Sequence, residues 1–533
     1  MIFGLAACGG KKSEPAGLYK LDKNGQAIVN DVDFSNYKAA ADDNRVFYEI
    51  FVGSFSDSNG DGIGDLRGII NRLDYLNDGD PKSGKSLGVE GIWLTPIFTS
   101  PSYHKYNASN YLEIDPQFGT MQDLQELIDG CHKRGIKIIL DFVMNHTSQS
   151  CEWFQKFVEA HKNNDTGSDY YNFYSYYRAG QEKPTNNTYY SIPGTDIRVE
   201  ANFDRDMPEI NYGSPFARQT VFNVAKFYLD MGVDGFRFDA AKYVYFGDHV
   251  RSVNFWRSFL YELKMEKPDI YTVAEVWDSD GITDYYFPVI NCFNFTASQT
   301  NGMYAEVAKG GNAGRVGSYV ESYLKRIKGL NEQAMFIPFI ANHDTDRAAG
   351  YLNEATGNMQ IAANMYILGP GSPFIYYGEE IGMRGSRGSA NTDANRRLAM
   401  VWGDGDKVAD PEGSTYNPDA QVQEGAIQQL GSDSSLLTYY KRLLMIRAAN
   451  PEIARGEYKG VSATDKIGGF ISTWDGSSVL VLHNPSNAEG QVDLSALKGT
   501  ENFKKLAAVI GFESAKLEGS ILTIGAKTSV VLR

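Results

Sequence analysis

Four short segments of this chain bring acidic and basic side chains together in spacings suited to proton transfer or nucleophilic attack. They are Asp141-Phe142-Val143-Met144-Asn145-His146, Gly235-Phe236-Arg237-Phe238-Asp239, Val273-Ala274-Glu275-Val276-Trp277 and Ala341-Asn342-His343-Asp344. In a strand, residues two apart share a face, so Arg237 points to the same side as Asp239 and its fixed charge would keep that carboxyl ionised. An ionised carboxylate can attack, whereas a desolvated one is held protonated and can donate. A single carboxylate at a strand end is ordinarily a helix cap or an ion-pair partner. Four such ends in regular order point to one shared site.

The elements that would carry these ends alternate. Strand candidates fall at 46–52, 91–96, 136–141, 235–239, 271–274, 289–295, 336–341 and 373–377. Helix-period segments lie at 66–76, 121–134, 215–231, 250–267 and 434–448. Eight strands with helices between them predict a parallel (β/α)8 barrel, in which chemistry sits at the strand C-terminal ends. The rhythm breaks over 147–213, which is rich in Tyr, Asn, Gly and Ser; an insertion that long predicts a small domain rather than a loop. Within it, Tyr170-Tyr171-Asn172-Phe173-Tyr174 is either core packing or a sugar platform, with packing favoured. From about 452 onward, apolar and polar residues alternate as in an antiparallel β-sandwich. The expected division is a tether over 1–40, the barrel over 41–146 and 214–450, the inserted domain over 147–213 and the sandwich over 451–533.

A length of 533 residues exceeds one hydrophobic core. The formal charge of -15 excludes a nucleic-acid partner and disfavours anionic lipid, while suiting a neutral, bulky substrate. The four Cys residues have no metal or redox spacing. Cys131 and Cys151 read as small buried residues, a disulfide being the alternative. Cys8 closes Leu5-Ala6-Ala7-Cys8 before Gly9-Gly10, which resembles a bacterial lipobox. The residues before it are too few for a full signal peptide.

Together, the four strand ends resemble the signature regions of the α-amylase family of glycoside hydrolases, from about Val46 to the end of the chain. The resemblance implies Asp239 as nucleophile, Glu275 as acid/base and Asp344 as transition-state stabiliser. It implies His146, His343, His104 and Tyr106 as contacts to the cleaved sugar, with Asp393 and Arg397 lining the same subsite. A retaining glycosidase needs its two carboxyl groups about 5–5.5 Å apart. Ala240, where members cutting α-1,6 bonds tend to carry Val, tilts the expected target to α-1,4 bonds. Met207-Pro208-Glu209-Ile210-Asn211 resembles the fifth region of neopullulanase-type members, which accept maltodextrins, pullulan or cyclodextrins. The expected partner is therefore an α-glucan, met by a monomer held at the outer face of a bacterial membrane through Cys8 alone.

Asp57-Ser58-Asn59-Gly60-Asp61-Gly62-Ile63-Gly64-Asp65 sets oxygen ligands at alternate positions around a Gly turn, as a calcium loop does. It resembles the family's loop after strand one, with Asp57, Asn59, Asp61, Asp65 and the Ile63 carbonyl as Ca2+ ligands; a metal-free turn is the alternative. The family's second calcium site uses a His after the strand-four Lys, and here Lys242 is followed by Tyr243, which removes that ligand. An exo-acting α-glucosidase, a transglycosylase and a non-catalytic glycan-binding protein are the rival readings.

Overall fold

The computed structural model describes residues 32–353 and 357–533, together with the backbone of a short strand pair, Lys20–Leu21 with Ala27–Ile28. Cys8 lies outside the described residues. Six strands run parallel in chain order as neighbours: Phe47–Ile50, Gly91–Leu94, Lys137–Phe142, Gly235–Phe238, Tyr271–Ala274 and Asn291–Cys292. Phe374–Tyr376 then pairs back onto Phe47–Ile50. The seventh position, expected as a strand over 336–341, is irregular because Pro338 has no N–H to donate. Its carbonyls still hold the ring together. Asn294 N donates to Ile337 O at 3.0 Å, and Ser372 and Phe374 donate to Phe336 O and Pro338 O at 2.9 Å. The result is a closed (β/α)8 barrel. The strand expected over 289–295 shortens to Asn291–Cys292.

Inward-facing side chains fill the barrel with aromatic and branched residues: Phe47, Trp93, Ile139, Tyr271, Val273, Phe293, Ile337 and Phe374 form one buried cluster. Phe47 and Phe374 stack at 4.8 Å with a 7° interplanar angle. This dry floor lies directly under the charged strand ends, since the Arg237 guanidinium sits 5.1 Å above the Trp93 ring. Gly235 permits the close approach of two site-bearing strands, because a Cβ there would meet the Tyr271 carbonyl oxygen at 1.9 Å.

Outside the barrel, the helix expected over 66–76 divides at Arg72 into Leu66–Asn71 and Leu73–Leu76. Arg72 is drawn to Asp404 and Asp406, at 2.6 and 2.9 Å. The 147–213 segment contains a helix, Glu152–Lys162, that the sequence reading missed. Its N-cap is Cys151, which makes no side-chain cap bond, so the usual start signal is absent. A three-stranded sheet follows, with Ile197–Glu200 between Tyr176–Arg178 and Tyr189–Ser191. Phe173 and Tyr174 are fully buried and Tyr170 packs on Phe216, so the aromatic run there is core. Cys131, Cys151 and Cys292 are buried free thiols.

The last part of the chain is two antiparallel sheets. Ser477–Asn484 is central in the five-stranded one and is buried on both faces. Leu480 and Leu482 join Leu522, Ile524 and Val530 between the sheets, while Val479 and Val481 join the barrel's core. The helix Ala313–Leu330 lies against this sheet at close range, where a Cβ on Gly317 would meet the Gly469 carbonyl oxygen at 2.2 Å. Among the described residues no helix is long and apolar enough to cross a membrane.

Candidate active site

The parallel register aligns Phe238 with Ala274 on one side and with Phe142 on the other. The next residues along, Asp239 and Glu275, therefore emerge side by side at the barrel mouth. Ala240 follows in a left-handed conformation (φ 47°). That turn aims its N–H at Glu275 Oε2, 2.9 Å away.

Arg237 organises this edge. It is 1% exposed. Its Nη1 meets Asp239 Oδ1 at 2.5 Å and Asp141 Oδ1 at 2.9 Å, and its Nη2 meets Glu275 Oε2 at 3.3 Å. Burial alone would lower the guanidinium's pKa, but the surrounding Asp141, Glu275, Tyr106 and Asp239 raise it well above its ordinary value. Burial raises the Glu275 pKa; the Arg237 charge opposes this, and the negative charge of Asp239 adds to it. Asp141 is pushed up to about 7, by burial first and by Asp239 as well, with Arg237 opposing.

Across the mouth, His343 is fully buried between two carboxylates. Its Nδ1 lies 2.5 Å from Glu49 Oε1 and its Nε2 2.9 Å from Asp344 Oδ2. Burial alone would lower its pKa, but Asp344 and Glu49 outweigh this and raise it to about 10, so it is an imidazolium donating from both nitrogens. Tyr106 bridges the two halves: its hydroxyl donates to Asp141 Oδ2 at 2.8 Å and sits 2.7 Å from His343 Nε2. Asp344 also accepts from Arg397 Nη2 at 2.8 Å. Although burial alone would raise it, His343 and Arg397 hold the Asp344 carboxyl well below the usual range.

Of the expected sugar contacts, Tyr106, His104, His146, Asp393 and Arg397 line one cleft of about 730 Å3 with the three carboxylates, whereas His343 does not, being fully buried between Glu49 and Asp344. Such a volume is typical of a ligand site. Burial, reinforced by Arg397, lowers the His104 pKa to about 3, so this ring is neutral. Burial lowers that of His146 too, and its Nε2 is buried without a protein partner. Asp393 is held by Arg387 at 2.6 Å and by Arg396 at 2.9 Å, while Arg397 turns to Asp344. Several residues of the site went unassigned in the sequence. Glu49 is the one acidic residue in an apolar strand, a signal available but unused. Tyr103, which accepts from Arg397 Nη1 at 3.1 Å, and Arg387 carry no distinguishing pattern.

The 57–65 loop folds its side chains inward. Asp57 Oδ1 accepts from Asn59 N at 3.0 Å, Asn59 Oδ1 from Asp61 N at 2.9 Å and Asp61 Oδ1 from Ile63 N at 2.8 Å. Asp65 caps the following helix through Gly68 N at 2.6 Å and holds Ser58. Among the described residues no three His, Cys, Asp or Glu side chains are gathered as a metal cage. The loop's donors are nonetheless all oxygens, the set a hard cation takes.

The sequence profile for the α-amylase catalytic domain matches residues 49–456. The chain belongs to the α-amylase family. It is 33% identical over 498 residues to an enzyme named Alpha-amylase 3 of Dictyoglomus thermophilum, covering 92% of this chain and 93% of that one. A Cyclomaltodextrinase of Thermoanaerobacter pseudethanolicus is 28% identical over 486 residues, covering 88% of this chain and 71% of its own. Among solved structures, Eubacterium rectale Amy13B superposes with a TM-score of 0.85 at 33% identity, over 94% of this chain and 97% of that one.

The family's charged mouth makes a pH prediction here. The raised pKa of His343 means that its charged form stabilises the fold fully below about 6.5, and that this contribution is lost as pH rises through about 10. Glu49→Gln removes one of the two raising charges, so the alkaline fall in Tm should begin at lower pH than in the wild type. Thermal unfolding between pH 7 and 11 reads this directly, and superimposable alkaline profiles would refute it.

Proposed function

We propose that this chain is a retaining hydrolase of α-1,4-glucosidic bonds in starch, maltodextrins and related α-glucans. The observation that carries the reading is the buried guanidinium of Arg237, paired with both Asp239 and Glu275 at the ends of neighbouring strands. Arg237 holds Asp239 in place to attack an anomeric carbon. Glu275, its pKa raised by burial, gives its proton to the departing glycosidic oxygen. The carbon–oxygen bond to the leaving chain breaks as the bond to Asp239 forms, leaving a covalent glycosyl-enzyme. Glu275, now a base, takes a proton from water, which attacks the same carbon and releases Asp239 with net retention. Asp344, held anionic by His343 and Arg397, meets the sugar as charge develops on the ring.

Asp239→Asn should lower starch hydrolysis by more than about a thousandfold with the fold intact. Glu275→Gln should do the same for starch, while sparing substrates whose leaving group needs no proton. Wild type no more active than Asp239→Asn would end the hydrolase assignment. Faster cleavage of pullulan's α-1,6 bonds than of amylose would end the α-1,4 preference that Ala240 supports.

Calcium is proposed at Asp57, Asn59, Asp61, Asp65 and the Ile63 carbonyl; bound there, the ion would pin this loop beside the barrel mouth. A chelator should lower Tm by several degrees, reversibly with Ca2+, and Asp61→Ala should abolish that shift. A wild-type Tm indifferent to chelation would count against the site.

Surface tethering is proposed from Leu5-Ala6-Ala7-Cys8 alone. A clickable palmitate analogue should label the wild type in a bacterial host but not Cys8→Ser, and equal labelling of the two would overturn it.

A further inference from the structure

His104 and Tyr106 both line the catalytic cleft, and the residue between them does not. Lys105 instead lines a separate cavity of about 240 Å3, together with Gln117 and Phe118. Its side chain is anchored there. The Nζ lies 2.8 Å from Asp115 Oδ2, donates to Gln117 Oε1 at 2.7 Å and sits 5.3 Å from the centre of the Phe118 ring. Lys105 and Asp115 are each only 3% exposed. Asp115 stands just past the base of a hairpin, where Phe98–Thr99 pairs with Asn110–Ile114 and residues 100–109 loop out between them. Its carboxyl is fixed from two sides, accepting from Gln117 N at 3.0 Å and from Ser100 N at 3.1 Å. The ammonium therefore ties the middle of the loop to the loop's own base.

Lys105 also has φ 64°, in the left-handed region that glycine alone enters without steric cost. Residues other than glycine persist there only where their surroundings over-determine them, and they gather at functional sites. A buried ion pair is likewise a poor source of stability, because desolvating both charges cancels much of their attraction. Strain and desolvation thus fall on one residue without improving the core. What they supply is direction. Across this turn Tyr106 N donates to His104 Nδ1 at 3.1 Å, so the two cleft residues are held to each other as well as to the loop. The Tyr106 ring lies parallel to that of His343, at 5.3 Å between centroids and 12°, and its hydroxyl meets Asp141 and His343.

We infer that Lys105 is a positioning residue, whose buried ion pair with Asp115 locks the turn that presents His104 and Tyr106 to the reacting sugar. The inference rests on the hydrolase reading above. Lys105 lies outside the cleft and acts through its two neighbours. Without the anchor, the Tyr106 hydroxyl would drift from its partners at the barrel mouth. The distorted sugar would then lose contacts that matter more to the transition state than to the bound substrate.

Lys105→Ala removes the anchor and keeps the left-handed strain, whereas Lys105→Gly removes both. The readouts are kcat and KM for maltoheptaose and the inhibition constant of acarbose, whose charged, flattened ring imitates the distorted sugar. Neither KM nor an inhibition constant depends on how much of the protein is folded. Both variants should weaken acarbose about tenfold or more and lower kcat by a similar factor, with KM within about threefold of wild type. Acarbose affinity within about twofold of wild type in both variants would overturn the inference and leave Lys105 a structural residue only. Recovery of wild-type affinity in Lys105→Gly alone would overturn it too, because the turn would then work without its anchor. A wild-type protein that neither cleaves maltoheptaose nor binds acarbose would overturn the hydrolase reading, and this inference with it.

Discussion

The Arg237 guanidinium is the group on which the barrel mouth depends. Three largely buried carboxyl groups, Asp141, Asp239 and Glu275, converge on it. Buried charges are tolerated only when paired and hydrogen-bonded, and like charges this close raise one another's pKa. One delocalised cation with two donor edges meets both requirements at once. A lysine ammonium would offer one point of charge in place of a planar fork, and could not hold carboxyls on two strands in fixed relation. The asymmetry between the two catalytic carboxyls follows from their contacts. Asp239 has the short bond to Arg237, whereas Glu275 has a longer one, and burial raises its pKa against both Arg237 and the Ala240 N–H.

That arrangement has a mirror across the mouth. Buried Glu49 and His343 and half-buried Asp344 form a row in which the charged imidazole is shared by two carboxyl groups, and Tyr106 joins it to Asp141. Charged layers of this kind would be unstable on a wet surface, where such pairs contribute little. Here they rest on the aromatic floor of Phe47, Trp93, Phe293 and Phe374, which excludes water from below and strengthens each interaction. The same packing makes the site rigid. Neither row moves without disturbing a filled barrel interior.

The inserted segment and the C-terminal sandwich attach by different physics. The sandwich is joined by a strand buried on both faces and by glycines that let a helix lie on the sheet. The inserted segment meets the barrel through a backbone bridge from His146 to Glu209 and through the exposed ring of Phe203 against Tyr243. The first kind of contact is extensive and dry. The second leaves a groove, and the cleft runs along it.

Much of this was legible in the residues. Strand-and-helix alternation, the polar ends of four strands and the spacing of Arg237 to Asp239 were all local signals, because side-chain direction in a strand has period two. The broken helix at Arg72, the irregular seventh strand and the helix after Cys151 were not. Each depends on a distant partner, on a proline within a barrel position or on a missing cap. Glu49 was the clearest omission. Its meaning lies in His343, which is 294 residues away and adjacent only once the eighth strand closes the barrel on the first. By itself the sequence determined which residue types stand at the strand ends, and so the chemistry available. Tertiary structure alone decided their charges. A pKa depends on burial and on neighbours within a few ångströms, and the chain brings those together only by closing a ring.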